Sequence, residues 1–335
     1  MKTGVLYATT DDGVNLPVID VTNPAFAVAA TDAELAAMSD QFLRESTGMR
    51  EVPASLREAL QSSILGRAIM TASGTFLAGM DTYLFKLGPD HLGPNVTAID
   101  RRIAESFPAF TTRLRLQDMA RLLADGLSLT AAAEARRPVC LVNVGGGPGS
   151  DSWNALIYLQ AGLHASNPDL LIGREITIAV MDLDDHGPAF GGRAIDTLCA
   201  PAAPLSGLDI RFRHFIYDWS RDWSQSGRLQ EVLGDLHAAD AACAVSSEGA
   251  LFEYGSDTEI VGNLSTIHAG TASDAMVVGS VTRDGGPVRA LHTTHGPSAR
   301  PRTIEAFRIL VEQAGWIIHQ VIERPFSYNV RLVKG

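Results

Sequence analysis

The chain has little cysteine and no excess of basic residues, and each shortage argues against a class of protein. Its three cysteines, Cys140, Cys199 and Cys243, stand far apart in 335 residues, a spacing that suggests neither a disulfide framework nor a paired-cysteine zinc site. The formal net charge of −11 argues against a nucleic-acid partner, because proteins that bind phosphate backbones usually present a basic surface. We therefore expect a cytoplasmic protein with a small-molecule partner.

Long uncharged apolar runs are missing as well. No stretch approaches the roughly 20 residues that a membrane-spanning helix needs, and the opening MKTGVLYATTDDGVNLPVID lacks a basic start followed by an apolar segment. These absences predict a protein that is neither secreted nor bound to a membrane. The hydrophobic share of 46% is enough for a substantial core.

The first part of the chain, residues 1–137, is predicted to be an extended arm followed by a helical region. Two prolines and several β-branched residues favour extended structure up to about residue 25, whereas apolar residues at three- and four-residue intervals favour helices over most of 31–135. Thr31 and Glu34 have the spacing of a capping box. We expect this region to close over a ligand site as a lid or to mediate self-association into a homo-oligomer.

The second part, residues 138–335, alternates short apolar runs with helix-sized intervals. This alternation predicts an α/β fold with a doubly wound, mostly parallel sheet and helices on both faces. Only Arg324 to Ser327 separate the last two apolar runs, which is too short for a parallel crossover and predicts an antiparallel hairpin at the carboxyl end. The seven predicted strands are VCLVNV (139–144), EITIAVMD (175–182), DIRFRHFIYD (209–218), AACAVS (241–246), AMVVGSV (275–281), WIIHQVIE (316–323) and YNVRLVK (328–334).

The stretch LVNVGGGPGSDSWNAL (141–156) joins the first of these strands to a helix through a glycine cluster. Gly145, Gly147 and Gly149 permit a sharp turn and a close approach of the backbone to a ligand, and the following helix offers unpaired N–H groups. A structural turn is the alternative explanation of these glycines. Their position after the first strand of a doubly wound sheet favours a nucleotide-like ligand.

Acidic and aromatic residues follow the next two predicted strands. Asp182 is the first acid after the second strand and is suited to accept hydrogen bonds from ribose hydroxyls, with Asp184 as the second choice. After the third strand, Asp218 could accept a hydrogen bond from the exocyclic amine of adenine, and Trp219 offers a flat surface to a purine. A surface carboxylate and a core tryptophan are the plainer alternatives.

Together, VNVGGGPGS, Asp182 and the Asp218–Trp219 pair resemble the motifs of class I S-adenosylmethionine-dependent methyltransferases over about residues 138–335. In addition, SSEGALFEYGSDTEIVGNL (246–264) is similar to a segment of leucine carboxyl methyltransferase-like members. The resemblance implies S-adenosylmethionine as cofactor, and it implies cofactor contacts for Ser246 and Glu248. A general base is the alternative role for Glu248. One departure is Asn143, which stands where family members often carry an acid.

The competing cofactor is NAD. Its fingerprint G-x-G-x-x-G, aligned from Gly145, requires glycine where this chain has Ser150, and Pro148 removes an N–H from the turn.

For the chemistry, His268, His292 and His295 are candidate general bases, since histidine titrates near neutral pH. No metal is predicted, because HTTH (292–295) has neither an HExxH pattern nor a cysteine pair beside it.

These features predict methyl transfer to an oxygen or nitrogen atom of a small molecule. Two other functions stay open at this point. A protein of the same fold could bind S-adenosylmethionine without transferring the methyl group, as a cyclase or a scaffold. The segment 246–264 also leaves room for a carboxyl methyltransferase that acts on a peptide or protein.

Overall fold

The computed structural model describes residues 2–46, 54–72, 75–93, 96–132, 137–163, 169–292 and 298–335. An extended arm comes first, and within it β1 (Tyr7–Thr9) and β2 (Asn15–Pro17) pair as a small antiparallel hairpin. The helices of the first region follow: α1 (Asp32–Ser46), α2 (Ala54–Gln61), α3 (Ile64–Thr71), α4 (Gly79–Leu87), α5 (Ala98–Glu105) and α6 (Phe107–Ala132). The prediction of a helical region in the first part of the chain is confirmed.

The capping box at the start of α1 forms as its spacing predicted. The backbone N–H of Glu34 donates to Thr31 Oγ1 over 3.2 Å, and the backbone N–H of Thr31 donates to Glu34 Oε2 over 2.7 Å. Two backbone donors that the first helical turn leaves unpaired are thereby satisfied.

A seven-stranded sheet forms the second region. Its strands lie in the order β5-β4-β3-β6-β7-β9-β8; five are mutually parallel, and β9 runs antiparallel to both of its neighbours. The predicted α/β fold with its terminal antiparallel hairpin is confirmed. The strands are β3 (Val139–Val144), β4 (Glu175–Asp182), β5 (Asp209–Ile216), β6 (Ala242–Ser247), β7 (Met276–Thr282), β8 (Trp316–Glu323) and β9 (Ser327–Lys334).

Helices connect these strands and flank the sheet. They are α7 (Ser150–Gln160), α8 (His186–Leu198), α9 (Asp222–Gln225), α10 (Arg228–Ala238), α11 (Leu251–Tyr254), α12 (Asp257–Gly270), α13 (Gly286–His292) and α14 (Ile304–Gln313). The central strands β3 and β6 are buried along their whole length, as expected for strands covered on both faces. Two clusters of buried apolar side chains result, and successive β3 residues alternate between them: Leu141 belongs to one and Cys140 to the other.

The arm and the helical region pack onto the sheet region through shared apolar and polar contacts. Buried Trp153 donates from its indole nitrogen to the carbonyl oxygen of Ile19 over 2.8 Å, and Tyr83 donates to the carbonyl oxygen of Pro17 over 2.7 Å. One of the two apolar clusters contains residues of both regions, such as Met119 and Leu141. The division into domains at residue 137 stays a prediction. Within the described ranges, no helix has both the length and the apolar character to cross a membrane.

Candidate functional site

The loop that follows β3 carries the predicted glycines at the carboxyl edge of the sheet. Gly145, Gly147 and Gly149 have φ values of 66°, 54° and 73°, in the left-handed region that side chains disfavour. The Gly145 N–H donates to the carbonyl oxygen of Met181 over 2.8 Å, which ties the loop to the end of β4. The backbone conformation is therefore by itself a sufficient reason for glycine at these three positions.

Close backbone contact is a second reason for glycine in this loop. A Cβ atom on Gly147 would lie 2.7 Å from the Cα of Gly79, at the start of α4, and a Cβ atom on Gly187, in the first turn of α8, would lie 2.9 Å from the Cα of Gly147. The loop is thus in backbone contact with α4 and α8. The helical region therefore reaches the glycine loop at this point.

Asp182, the predicted ribose-binding acid, ends β4 beside this loop. Its Oδ2 accepts from the Gly147 N–H over 2.8 Å and its Oδ1 accepts from the Asp184 N–H over 3.0 Å. Burial raises the pKa of Asp182 above its usual value, although the two N–H groups oppose the rise. Each oxygen keeps acceptor capacity for a further donor. Two backbone N–H groups thus hold the carboxylate in place.

A cavity of about 200 Å³ opens between the helical region and the carboxyl edge of the sheet. Five of the predicted residues, namely Gly145, Asp182, Asp184, Trp219 and Glu248, line it together. The other lining residues are Phe76, Leu77, Ala78, Gly79, Thr82, Lys86, Gly146, Leu183, Gly249, Ala250 and Tyr254. The fold therefore brings residues that lie far apart in the sequence to one cavity.

A buried ionic cluster forms part of the cavity wall. Lys86 of α4 donates to Glu248 Oε2 over 2.7 Å, and Arg115 of α6 donates to Glu248 Oε1 over 3.3 Å and to Glu253 over 3.1 Å. The side chains of Lys86 and Glu248 are 6% and 3% exposed. Two helices of the first region are thereby bound to the segment that follows β6.

An acid is present beneath the glycine loop even though position 143 carries an amide. Asn143 Nδ2 donates to Asp151 Oδ1 over 2.5 Å, and both residues are buried. Burial raises the pKa of Asp151 to about 6, and the Glu248 carboxylate adds to the rise. A buried carboxylate from the first turn of α7 thus lies beside Asn143.

Four predicted cofactor contacts do not line the cavity, namely Gly147, Gly149, Asp218 and Ser246. Asp218 accepts from the Ser220 N–H over 2.9 Å and from the Ser220 hydroxyl over 2.5 Å, so its carboxylate stabilises a turn. Gly149 is the residue before α7, and a Cβ atom added to it would lie 3.1 Å from the Val180 side chain, which makes it a helix–strand packing position. Ser246 is buried in β6 as the register partner of Asn143.

His268 lies at the opposite edge of the sheet from the cavity. It is in the last turn of α12, and its ring stacks edge-on against Trp316, at the start of β8, with centroids 5.5 Å apart. Connecting helices run opposite to the parallel strands, so their carboxyl ends lie at the amino edge. The structure therefore does not bring His268 to the candidate site.

The other two candidate bases fall largely outside the described part of the chain. His292 ends α13, but its side chain is outside the described part, as is the whole of His295. The next described residue, Ser298, donates from its backbone N–H to the carbonyl oxygen of Thr75 over 2.7 Å, one residue before Phe76 of the cavity wall. Their role as bases stays a prediction.

Within the described ranges, one group of side chains is close enough together to bind a metal ion. Ligand atoms of Asp184, Asp185 and His186 lie within 4.8 Å of one another, and the last two residues are exposed. His186 Nδ1 already lies 3.1 Å from an oxygen of Asp11. Exposed acidic groups of this kind are common without an ion, so the cluster does not indicate a metal centre.

Several residues of the site had no distinctive sequence signal. Lys86 stands in an ordinary amphipathic helix, and its contact with Glu248 spans 162 positions of the chain. Asp151 stands in the first turn of α7, where acidic residues are common in helices. Gly146 could have been found, because it stands inside the glycine cluster and lines the cavity.

Comparisons with known proteins support the fold. No protein-family model and no curated protein matches the chain. A solved structure described as a possible exported protein from Bordetella parapertussis is similar, with 18% identity and a TM-score of 0.56 over 93% of this chain and 99% of that one.

Methyltransferases are also among the similar solved structures. Mitomycin 7-O-methyltransferase MmcR has 15% identity and a TM-score of 0.41 over 91% of this chain and 74% of its own. Magnesium protoporphyrin IX methyltransferase from Synechocystis PCC 6803, solved with bound SAH, has 12% identity and a TM-score of 0.45 over 77% and 94%.

Proposed function

We propose that the protein binds S-adenosylmethionine in the cavity at the carboxyl edge and transfers its methyl group to an oxygen or nitrogen atom of a small molecule. The observation that carries this proposal is the arrangement of Asp182, the glycine loop and Trp219 around one cavity. A carboxylate that can accept hydrogen bonds from a ribose, a glycine backbone without side chains and a flat indole ring surround a space in which one nucleoside could bind. The similarity to leucine carboxyl methyltransferase-like proteins stays a prediction.

The residues present fit such a nucleoside. A Cβ atom on Gly145 would lie 2.5 Å from the Cβ of Ala250 and 3.2 Å from the Trp219 ring, so only glycine keeps the space beside the indole open. Asp182 can accept hydrogen bonds from both ribose hydroxyls, because each of its oxygens has a further lone pair. An adenine ring can pack on the indole face of Trp219.

S-adenosylmethionine, when bound, supplies a methyl group on a sulfonium, which is already an excellent leaving group. The protein then has to hold the acceptor in line and to exclude water. Phe76, Leu77 and Tyr254 are suited to both tasks, since they form an apolar side of the cavity; the rings of Phe76 and Tyr254 have centroids 6.1 Å apart. An apolar or aromatic small molecule fits this side best.

A cytoplasmic location is part of the proposal. Cys140, Cys199 and Cys243 are free thiols, which is consistent with a reducing compartment. Cys140 and Cys243 are buried and fill space in the core.

The test is calorimetry with S-adenosylhomocysteine and with NAD, followed by incubation with methyl-labelled S-adenosylmethionine and candidate acceptors. We expect micromolar binding of S-adenosylhomocysteine and none of NAD. Tight binding of NAD alone would overturn the proposal. Binding of S-adenosylmethionine without a labelled product from any acceptor would instead favour the scaffold or cyclase alternative.

A further inference from the structure

We infer that the buried Lys86–Glu248 pair is a binding site for the amino-acid end of the ligand, with Lys86 receiving its carboxylate and Glu248 its ammonium group. This inference rests on the proposed function, because it assumes that a nucleoside occupies the side of the cavity formed by Asp182 and Trp219. It gives the cavity a second specificity, for a zwitterion, that the nucleoside side cannot supply.

The position of the pair is the first support. Lys86 and Glu248 both line the cavity, and so do Gly145 and Gly146 of the glycine loop. Lys86 shares one face of α4 with Gly79 and Thr82, which also line the cavity, because residues three, four and seven positions apart lie on the same side of a helix. A ligand that extends along this face meets an ammonium group at its end.

Unused hydrogen-bonding capacity is the second support. A lysine ammonium has three donors and an ionised carboxylate has about four acceptor sites. In the described part of the chain, Lys86 Nζ donates to Glu248 alone, while Glu248 accepts from Lys86 and Arg115. The pair can therefore receive a carboxylate and an ammonium group without breaking its own bond.

Charge balance is the third support. Lys86 and Arg115 carry two positive charges, and Glu248 and Glu253 carry two negative charges. Asp151, whose pKa of about 6 is raised in part by Glu248, is a further acid beside these four side chains. A zwitterion leaves the net charge of this buried group unchanged, whereas an ion of one sign would change it. The cluster thus favours an α-amino acid over a simple acid or a simple amine.

The test compares three ligands that share the adenosine part. S-adenosylhomocysteine carries both charged groups, S-adenosylthiopropylamine lacks the carboxylate, and methylthioadenosine lacks both. Calorimetry on the unmodified protein should show that removal of the carboxylate weakens binding about 10- to 100-fold, the usual contribution of a hydrogen bond between charged groups. Because this comparison requires no substitution, it does not depend on how any variant folds.

The variant Lys86→Met completes the test. It should bind S-adenosylhomocysteine about as weakly as S-adenosylthiopropylamine, and it should leave the affinity for methylthioadenosine within about twofold. Lys334→Met is the matched control, because Lys334 is a partly buried lysine at the other edge of the sheet. It should leave all three affinities unchanged.

The outcomes separate the two proposals. If no adenosine ligand binds, the proposed function fails. If all three bind with equal affinity, or if Lys86→Met retains the full preference for S-adenosylhomocysteine, the cavity binds the nucleoside but the Lys86–Glu248 pair does not bind its amino-acid end.

Discussion

The two edges of the sheet each hold a lysine with reduced exposure, and the two lysines have different surroundings. At the amino edge, Lys334 donates to the carbonyl oxygens of His268 and Thr271 over 2.5 and 2.6 Å, so it caps the end of α12. At the carboxyl edge, Lys86 faces a cavity and pairs with a carboxylate. The first lysine stabilises a helix end, whereas the second retains donors for a ligand. Reduced exposure of a charged group therefore does not by itself mark a binding site.

Helix direction explains why the edges differ. In this sheet the helices that follow the parallel strands begin at the carboxyl edge, where their first N–H groups lack intrahelical partners, and end at the amino edge. Loops at the carboxyl edge can present donors to a ligand. The amino edge presents carbonyl groups instead, and Lys334 satisfies two of them.

The largest effect is expected from a substitution at Gly146, in the glycine loop of the carboxyl edge. In Gly146→Ala the new Cβ would lie 1.4 Å from Asn143 Oδ1, and relief of this overlap must move a buried amide or the loop. We expect the free energy of unfolding to fall by about 3 kcal/mol or more, the upper range for overpacking, with loss of ligand binding. Urea denaturation measures the first effect and calorimetry the second.

Gly234→Ala is the matched control. Gly234 stands inside α10, and a Cβ atom added there would have no neighbouring atom within 4 Å. Alanine should stabilise this helix by up to about 1 kcal/mol. Equal stability of the two variants would show that the glycine loop is not packed as tightly as described.

The second prediction concerns the acid beneath the loop. The pKa of Asp151 is about 6 in the folded protein and about 4 in an unfolded chain, so the folded state binds its proton more readily. The resulting stability is fully present below about pH 4 and is lost as the pH rises through about 6. At pH 8 the free energy of unfolding is lower by as much as about 3 kcal/mol, since a pKa shift of one unit corresponds to about 1.4 kcal/mol.

Asp151→Asn removes this ionisation while it keeps an oxygen for Asn143 Nδ2. The variant should therefore be more stable than the unmodified protein at pH 8 and equal to it near pH 4, as measured by denaturation over that range. Parallel pH profiles for the two proteins would contradict the raised pKa. Weaker cofactor binding by the more stable variant would show that the acid serves the site rather than the fold.

Much of the fold, and about half of the site, could be predicted from the sequence. Periodicity fixed the strands, and the short connection at Arg324–Ser327 allowed only a hairpin. Asp182 and Trp219 could be placed because the ends of parallel strands meet at one edge. Lys86 could not, because no local pattern states which helix face packs on which loop. The place of His268 could not either, because the sequence alone does not show that α12 extends to Gly270 at the amino edge.

The third prediction separates two acids that both line the cavity. Asp182→Asn should weaken binding of S-adenosylhomocysteine about 10- to 100-fold, because it replaces a charged acceptor of the ribose hydrogen bonds. Asp184→Asn, two residues along the chain, should change the affinity by no more than about threefold. The reverse order in calorimetry would assign the ribose to Asp184.

The smallest expected effect lies at the amino edge. His268→Phe keeps an aromatic ring against Trp316, 5.5 Å away in the present structure, and removes a candidate base. Burial and Lys334 lower the pKa of His268 below its usual value, so the folded protein is destabilised as the pH falls through about 6.5, and the variant should lose that dependence. Its turnover with labelled S-adenosylmethionine should stay within about twofold of the unmodified protein, because none of the described residues that line the cavity lies at the amino edge. A much larger fall in turnover, with the fold intact by circular dichroism, would mean that the two edges are coupled and that the separation of a structural edge from a ligand edge is wrong.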